Sequence, residues 1–324
     1  MMKHPAFLAL FALTLSACAP APTFSPSAAP NLAIAGSRDA APAVVNRGIY
    51  VSLGYGLTIF GYRGNNRANQ LPICALVGVA AVSLAVDNGG NLIAPDPEHD
   101  QIYVYRGPQM CGPPWKSVAD PYGPPTDASG PDALRATFVV VHATGFKSGA
   151  PGGAELCTLS AGCTSSLPGS SERLVGGVVM ANNGDCWESA ASESGKARLV
   201  YFKECKRSGV RAKHFVNASY GGLEIDSRGD LVSISSADAK LYVYRGCDPA
   251  CSLVGGPFSL KGTPFYGHLN QMSTRFAVAN NRAGGVDVYA YHPHDVHFLY
   301  RFTNSLKGNM GVVSGVAFNP RSTQ

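Results

Sequence analysis

The chain has 324 residues, a formal net charge of +5 and only 15% charged side chains, with 37 glycines and 23 prolines. That length holds one large domain with a sizeable core, and so modest and dispersed a charge argues against a nucleic-acid surface. The Gly and Pro content suits short strands and tight turns, and no segment after residue 18 keeps an apolar period of 3.6, which excludes a helical fold.

The first element expected is a targeting segment, residues 1–17. Lys3 supplies the positive start and Ala6 to Leu15 an apolar run too short to span a bilayer. Leu15-Ser16-Ala17-Cys18 then resembles the bacterial lipobox. The resemblance implies cleavage before Cys18 and a diacylglyceryl group on its thiol. Ala19, where an Asp would stand for retention, favours the outer membrane if the host has two. Each buried acyl methylene contributes roughly 0.8 kcal/mol, so two or three chains anchor a protein to a leaflet. Residues 18–46 are rich in Ala, Pro and Ser, with Arg38 and Asp39 as their only charges. Such a stretch buries no core and reads as a lipidated, flexible linker. Residues 47–324 are left for the folded domain.

Within that domain a segment occurs twice. Leu84 to Gly107 reads LAVDNGGNLIAPDPEHDQIYVYRG, and Leu223 to Gly246 reads LEIDSRGDLVSISSADAKLYVYRG, offset by 139 residues. The offset is about three units of 46, the range of a radial β repeat. One strand recurs near Val51, Ile93, Val140, Trp187, Val232 and Ala277, at spacings of 42 to 47 residues. A second strand ending in an aromatic follows most of them, and the third unit is degenerate, with AELCTLS in that place. An inner strand and a turn precede the better units: LAVDNGG, VVMANNG and LEIDSRG. The first unit lacks its inner strand, while GVAFNP (Gly315 to Pro320) is an inner strand with nothing after it. Joining the two closes a ring and removes open sheet edges. The expectation is an all-β fold, a six-bladed β-propeller closed by a C-terminal strand completing the first blade.

The D-x-x-G-x-L turn followed by I-x-V-Y resembles the blades of the NHL-repeat and gluconolactonase-like propellers, over about residues 47 to 320. That group includes binding modules, lyases and lactone hydrolases, so the resemblance implies a fold and leaves the activity open. Its ligand face is the one carrying the turns between second and third strands. Transferred here, the face would present Asp96, Glu98, His99, Asp100, His142, Lys147, Glu188, Glu193, Asp238, Lys240, Asn280, Asn281 and Arg282. The gluconolactonase-like enzymes hold a metal with a Glu, an Asn and an Asp. Only Glu188 and Asn280 come near that set, without a third ligand.

Other clusters read as follows. Asp96-Pro97-Glu98-His99-Asp100 has the groups for a divalent ion or for acid–base work, but reads first as a solvated loop tip. Tyr291 to His297 reads as the outer hairpin of the last blade on the opposite face, with His292 and His297 able to meet across its tip. Tyr62, Tyr105, Phe202, Tyr244 and Tyr289 form a row expected to pack between blades. Gly112 to Arg135, proline-rich with Trp115 and Tyr122, is expected as a long loop, either a partner surface or a lid. Lys203 to Arg207, with Arg211 and Lys213, is the densest basic patch and reads as a solvated turn.

Without Cys18, eight cysteines remain, an even number that suits an oxidising compartment. Cys186 and Cys205 flank a predicted hairpin, Cys157 and Cys163 bracket a turn, as do Cys247 and Cys251, and Cys74 and Cys111 are left to pair. A zinc reading of Cys247 to Cys251 lacks a second ligand pair.

Three functional readings stand. The first is a lipid-anchored envelope protein whose propeller binds an envelope protein or a small ligand. The second is a metal-dependent lactone hydrolase or lyase, with Ca or Mg as the cation. The third is a purely structural surface protein. No cofactor cradle, nucleophile elbow or dinucleotide fingerprint is present in the sequence.

Overall fold

A computed structural model of the chain describes residues 48–53, 58–63, 69–70, 72–107, 112–142, 152–167, 174–191, 197–206, 210–212, 220–247, 251–281, 284–304 and 312–319. Residues 1–47, and with them Cys18, lie outside the described residues, as do Cys111, Lys147, Glu193 and Arg282. Among the described residues no helix is long and apolar enough to cross a membrane.

The chain is a six-bladed β-propeller. Blade 1 comprises Gly48–Leu53, Thr58–Arg63 and Cys74–Val77, with Val313–Phe318 as its inner strand. Blade 2 comprises Ala85–Val86, Leu92–Asp96, Gln101–Tyr105 and Lys116–Ala119. Blade 3 comprises Pro125–Ser129, Phe138–His142, Gly153–Thr158 and Gly162–Ser166. Blade 4 comprises Leu174–Met180, Cys186–Ala191, Ala197–Phe202 and Val210–Ala212. Blade 5 comprises Tyr220–Ile225, Leu231–Ser235, Lys240–Arg245 and Ser252–Ser259. Blade 6 comprises Pro264–Leu269, Arg275–Asn280, Gly285–His292 and Asp295–Asn304. Each sheet runs from inner to outer strand in that order, and the six inner strands contact one another in a closed cycle. Asn69–Gln70 of blade 1 adds a short parallel strand to the outer edge of blade 6.

The closure takes the expected form. Val313–Phe318 pairs antiparallel with Gly48–Leu53, matching Phe318 to Ile49 and Val316 to Val51. Strands with an unbroken apolar run, such as Phe138 to Val141 of Phe138–His142, are buried on both faces, because each blade has a neighbour on either side. Side chains alternate across a strand, so Phe138 and Val140 enter the layer shared with blade 2, and Val139 and Val141 the layer shared with blade 4. Six such hydrophobic layers fill the six gaps between blades.

The aromatic row is core, as expected, and each member packs toward the preceding blade. Tyr62 lies between blades 6 and 1, Tyr105 between 1 and 2, and Phe202 between 3 and 4. Tyr244 and Tyr289 fill the next two gaps. Cys157 occupies the sixth place: it stands opposite Phe138 as Tyr105 stands opposite Leu92. The degenerate third unit therefore fills its layer with a disulfide, Cys157–Cys163. Disulfides also join Cys186 to Cys205 and Cys247 to Cys251. Cys205 sits in a 3-10 turn, Lys203–Cys205, beyond the strand residue Phe202 that faces Cys186. Cys74 is disulfide-bonded as well.

One expectation is corrected here. The segment Gly112 to Arg135 is neither a long loop nor a lid. It supplies the outer strand of blade 2 and the inner strand of blade 3. Its prolines and polar residues mask strands whose partners carry the apolar side chains. Trp115 is exposed at 48%, with the Arg106 guanidinium 5.4 Å from its ring centre.

Candidate functional site

The inner strands place polar side chains around the ring axis. Tyr266 of blade 6 lies against Gly222 of blade 5, whose missing side chain leaves room for the ring. It donates a 2.8 Å hydrogen bond to the Gly176 carbonyl of blade 4. Asp127 of blade 3 accepts from the amides of Ala128 at 3.0 Å and Val178 at 2.9 Å. Ser52 and Ser314 of blade 1 both donate to the Ala81 carbonyl. Burial pushes the Asp127 carboxyl up to about 7, against the lowering effect of its hydrogen bonds. The Tyr266 and Asp127 contacts join blades 3, 4, 5 and 6 near the axis, and the two serines tie blade 1 to the segment leading into blade 2.

Toward the face that carries the turns between inner and second strands, a cavity of about 470 Å³ opens. Glu224 of blade 5 and His268 of blade 6 line it, with His268 Nε2 4.0 Å from Glu224 Oε1. Asn88, Asn182 and Gln271 line it too, and Asn270 braces its own turn at the rim, its Oδ1 accepting the amides of Thr274 and Arg275. The wall is held by a 2.7 Å bond from Asn88 Nδ2 to Asn182 Oδ1 and by the Ser227 amide, which donates to Ser273 Oγ. Burial lowers His268 to about 4, so its imidazole is neutral at pH 7. Burial, and then the charge of Asp127, raise Glu224 well above the ordinary carboxylate range. The cavity therefore combines an uncharged imidazole, a Glu224 carboxyl that holds its proton more tightly than usual, and the Asp226 side chain. A second cavity of about 650 Å³ shares Asn88, Pro131 and Asn182 and adds Arg106 and Arg135.

The opposite face carries the residues singled out from sequence, and they are dispersed over its blades. Asp96 is fully buried and organises its own turn: Oδ1 accepts from the amides of Glu98 and His99, and Oδ2 from the Ala80 amide. His99 Nδ1 is 2.8 Å from Asp96 Oδ2, and that hydrogen bond raises the His99 pKa. The cluster Asp96 to Asp100 is thus a braced turn, with Asp100 at positive φ. Asp238 accepts from the Tyr242 hydroxyl at 2.7 Å, and Lys240 donates to Ser259 Oγ at 2.8 Å. Asn280 is fully buried and donates to Asp287 Oδ2 and the Lys261 carbonyl, a blade-internal role. Asn281 donates through its amide to the Thr263 carbonyl. Glu188 is fully buried within the second strand of blade 4.

His142 has a more telling setting. Its Nδ1 lies 2.6 Å from Glu155 Oε1, and Asp120 stands close to both. Sequence reasoning named only His142 of these three, and it missed Glu224 and His268. One signal was available for Glu224, since it replaces Ala85 in the duplicated segment.

On the other face, the last hairpin does not bring His292 and His297 together. His292 pairs with Asp295 across a two-residue turn, while His297 pairs with Ala290. His292 instead meets Arg228, 3.2 Å from its Nε2, and His297 lies 3.4 Å from Asp295.

No family model matches the sequence, and no curated protein does. The fold has solved counterparts. A chain in the crystal structure of a nidogen/laminin complex superposes with a TM-score of 0.65 at 12% identity, over 86% of this chain and 100% of that one. A protein from Lactobacillus plantarum gives a TM-score of 0.55 at 12% identity, over 84% and 98%. A functionally unknown protein from Desulfotomaculum acetoxidans DSM 771 gives 0.53 at 14% identity, over 83% and 84%. At such identities the likeness is one of fold: the chain is a six-bladed β-propeller.

Proposed function

We propose that this chain is an exported, lipid-anchored binding protein whose propeller takes a small neutral polar ligand, such as a polyol or sugar, in the axial cavity. The observation that carries the ligand reading is the cavity of about 470 Å³ lined by Glu224, His268 and the side-chain amides of Asn88, Asn182 and Gln271. His268, neutral, and Glu224, which holds its proton more tightly than usual, stand among polar groups able to pair hydrogen bonds with an uncharged polar guest. The lipobox-like Leu15 to Cys18 and the linker after it support the anchor and the cell-envelope location.

The hydrolase or lyase reading draws less support. Asn280 is spent on hydrogen bonds within its blade, and Glu188 is packed inside a strand. Protein docking is a further reading of the scaffold, and a similar fold occurs in the nidogen/laminin complex.

The test has two arms. Cys18→Ser is expected to move the protein from membranes to the soluble envelope fraction, and continued membrane association would overturn the anchor. Calorimetry against neutral mono- and disaccharides is expected to find a ligand that Gln271→Ala binds about tenfold more weakly, the loss of one hydrogen bond. Equal binding by that variant, or no binding by the wild type, would remove the axial cavity from the function.

A further inference from the structure

Blades 2 and 3 meet at a second constellation, independent of the axial cavity. Asp120 follows the outer strand of blade 2, His142 ends the second strand of blade 3, and Glu155 lies in its third strand. Their relative exposures are 5%, 6% and 0%. One ligand atom from each, an imidazole nitrogen and two carboxylate oxygens, lies within 4.8 Å of the others, and among the described residues this is the group able to hold a metal ion.

The polar atoms are oriented and only partly used. Asp120 Oδ1 accepts the Tyr122 amide at 2.9 Å, which fixes the carboxylate plane. Asp120 Oδ2 and Glu155 Oε2 are buried and find no hydrogen-bond partner among the described residues. A buried carboxylate oxygen without a partner costs several kcal/mol unless something else satisfies it. The charges acting on the two carboxyls do not meet that need. His142 acts favourably on both, but Asp120 opposes Glu155, and Asp100 opposes Asp120. Gly123 completes the fit, since a Cβ there would stand 3.1 Å from the His142 ring.

We propose that Asp120, His142 and Glu155 form a binding site for a divalent first-row transition cation of the zinc class. Calcium and magnesium take all-oxygen shells, whereas a shell with an imidazole nitrogen suits zinc or its neighbours. Binding displaces the proton shared between His142 and Glu155 and places a double positive charge between two buried carboxylates. Three protein ligands leave a coordination position for water or a small donor. The ion would tie the outer edge of blade 2 to the middle of blade 3.

The test uses the full chain, stripped with a chelator and titrated with Zn²⁺ by calorimetry in the presence of excess Mg²⁺ and Ca²⁺. One equivalent is expected to bind. Glu155→Gln and Asp120→Asn, which keep side-chain shape, are each expected to lower affinity by about 100-fold, while a variant with His292 and His297 changed to Gln binds as the wild type does. Absence of stoichiometric binding, or loss only in the histidine-hairpin variant, overturns the site. Should the carboxylate variants fail to fold, anomalous scattering at the zinc edge from wild-type crystals decides. A peak among Asp120, His142 and Glu155 sustains the assignment, and a peak elsewhere or none refutes it.

Discussion

Blades 2 and 5 are built from the same repeated segment, and the places where they differ are more instructive than their likeness. Asp87 and Asp226 do the same work in both. Asp87 Oδ1 accepts the amides of Gly89 and Asn91, and its Oδ2 reaches the Ala133 amide of the next blade. Asp226 Oδ1 accepts the amides of Arg228 and Asp230, and its Oδ2 takes the Tyr291 hydroxyl of the next blade. Each aspartate closes its own turn with one oxygen and clips the neighbouring blade with the other. Even the strained turn position is shared, with Asp100 and Ala239 both at φ 53°.

Four positions on, the two blades diverge. Asp230 holds Arg245 in a two-pronged pair, at 2.7 Å and 2.5 Å. Asn91 carries no charge, accepts the Gly107 amide, and leaves Arg106 to lie over Trp115. At the axis, Ala85 is replaced by Glu224. The shared residues make the blade, and the unshared ones make surfaces and cavities.

The largest expected effect breaks what the blades share. Asp87→Ala and Asp226→Ala each strand several amides or a hydroxyl at once, so each is expected to cost about 3 kcal/mol, read as a lowered urea midpoint. If only one of the two matters, the clips are not equivalent. A smaller effect, of opposite sign, comes from giving blade 5 the residue of blade 2. Burial raises Glu224 in the folded chain, so the native state holds that proton more tightly than the unfolded state does. Stability then falls as pH rises above the ordinary carboxylate range and the unfolded carboxyl alone ionises. Glu224→Ala is expected to stabilise the fold by about 1 kcal/mol at pH 8 and not at pH 4, checked by thermal unfolding at both. The smallest effect is that of Asp230→Asn, which makes the Arg245 site resemble that of Arg106. The Arg245 side chain is 53% exposed, so the loss is expected to stay below about 1 kcal/mol and to shrink further in high salt.

The sequence carried the blades well because repetition multiplies a weak strand signal. The turn aspartates, the aromatic row and the C-terminal closing strand each recur, or fill a gap left by recurrence. What escaped was unrepeated. Pro125–Ser129 is an inner strand with a proline, a threonine and an aspartate, three of its residues facing roles that need no apolar pattern. Asp120 and Glu155 lie 35 positions apart, the first just after the outer strand of blade 2 and the second in the unit whose aromatic is a cysteine, so no spacing rule joins them. Glu224 and His268 converge only because consecutive inner strands lean on a common axis. The turn Asp96 to Asp100 shows the converse: residue types apt for chemistry are also apt for bracing a tight bend.

The pairing of Val313–Phe318 with Gly48–Leu53 has a kinetic consequence. Five blades can assemble from neighbouring strands, but the first has no inner wall until the last strand arrives. Its contacts join residues separated by almost the whole domain, so they enlarge the contact order and slow the final step. Until that strand docks, the edge of Gly48–Leu53 offers unpaired amides and carbonyls to any passing strand. The interval between synthesis of the first blade and arrival of its missing strand is therefore the period when a nascent chain most needs protection from its neighbours.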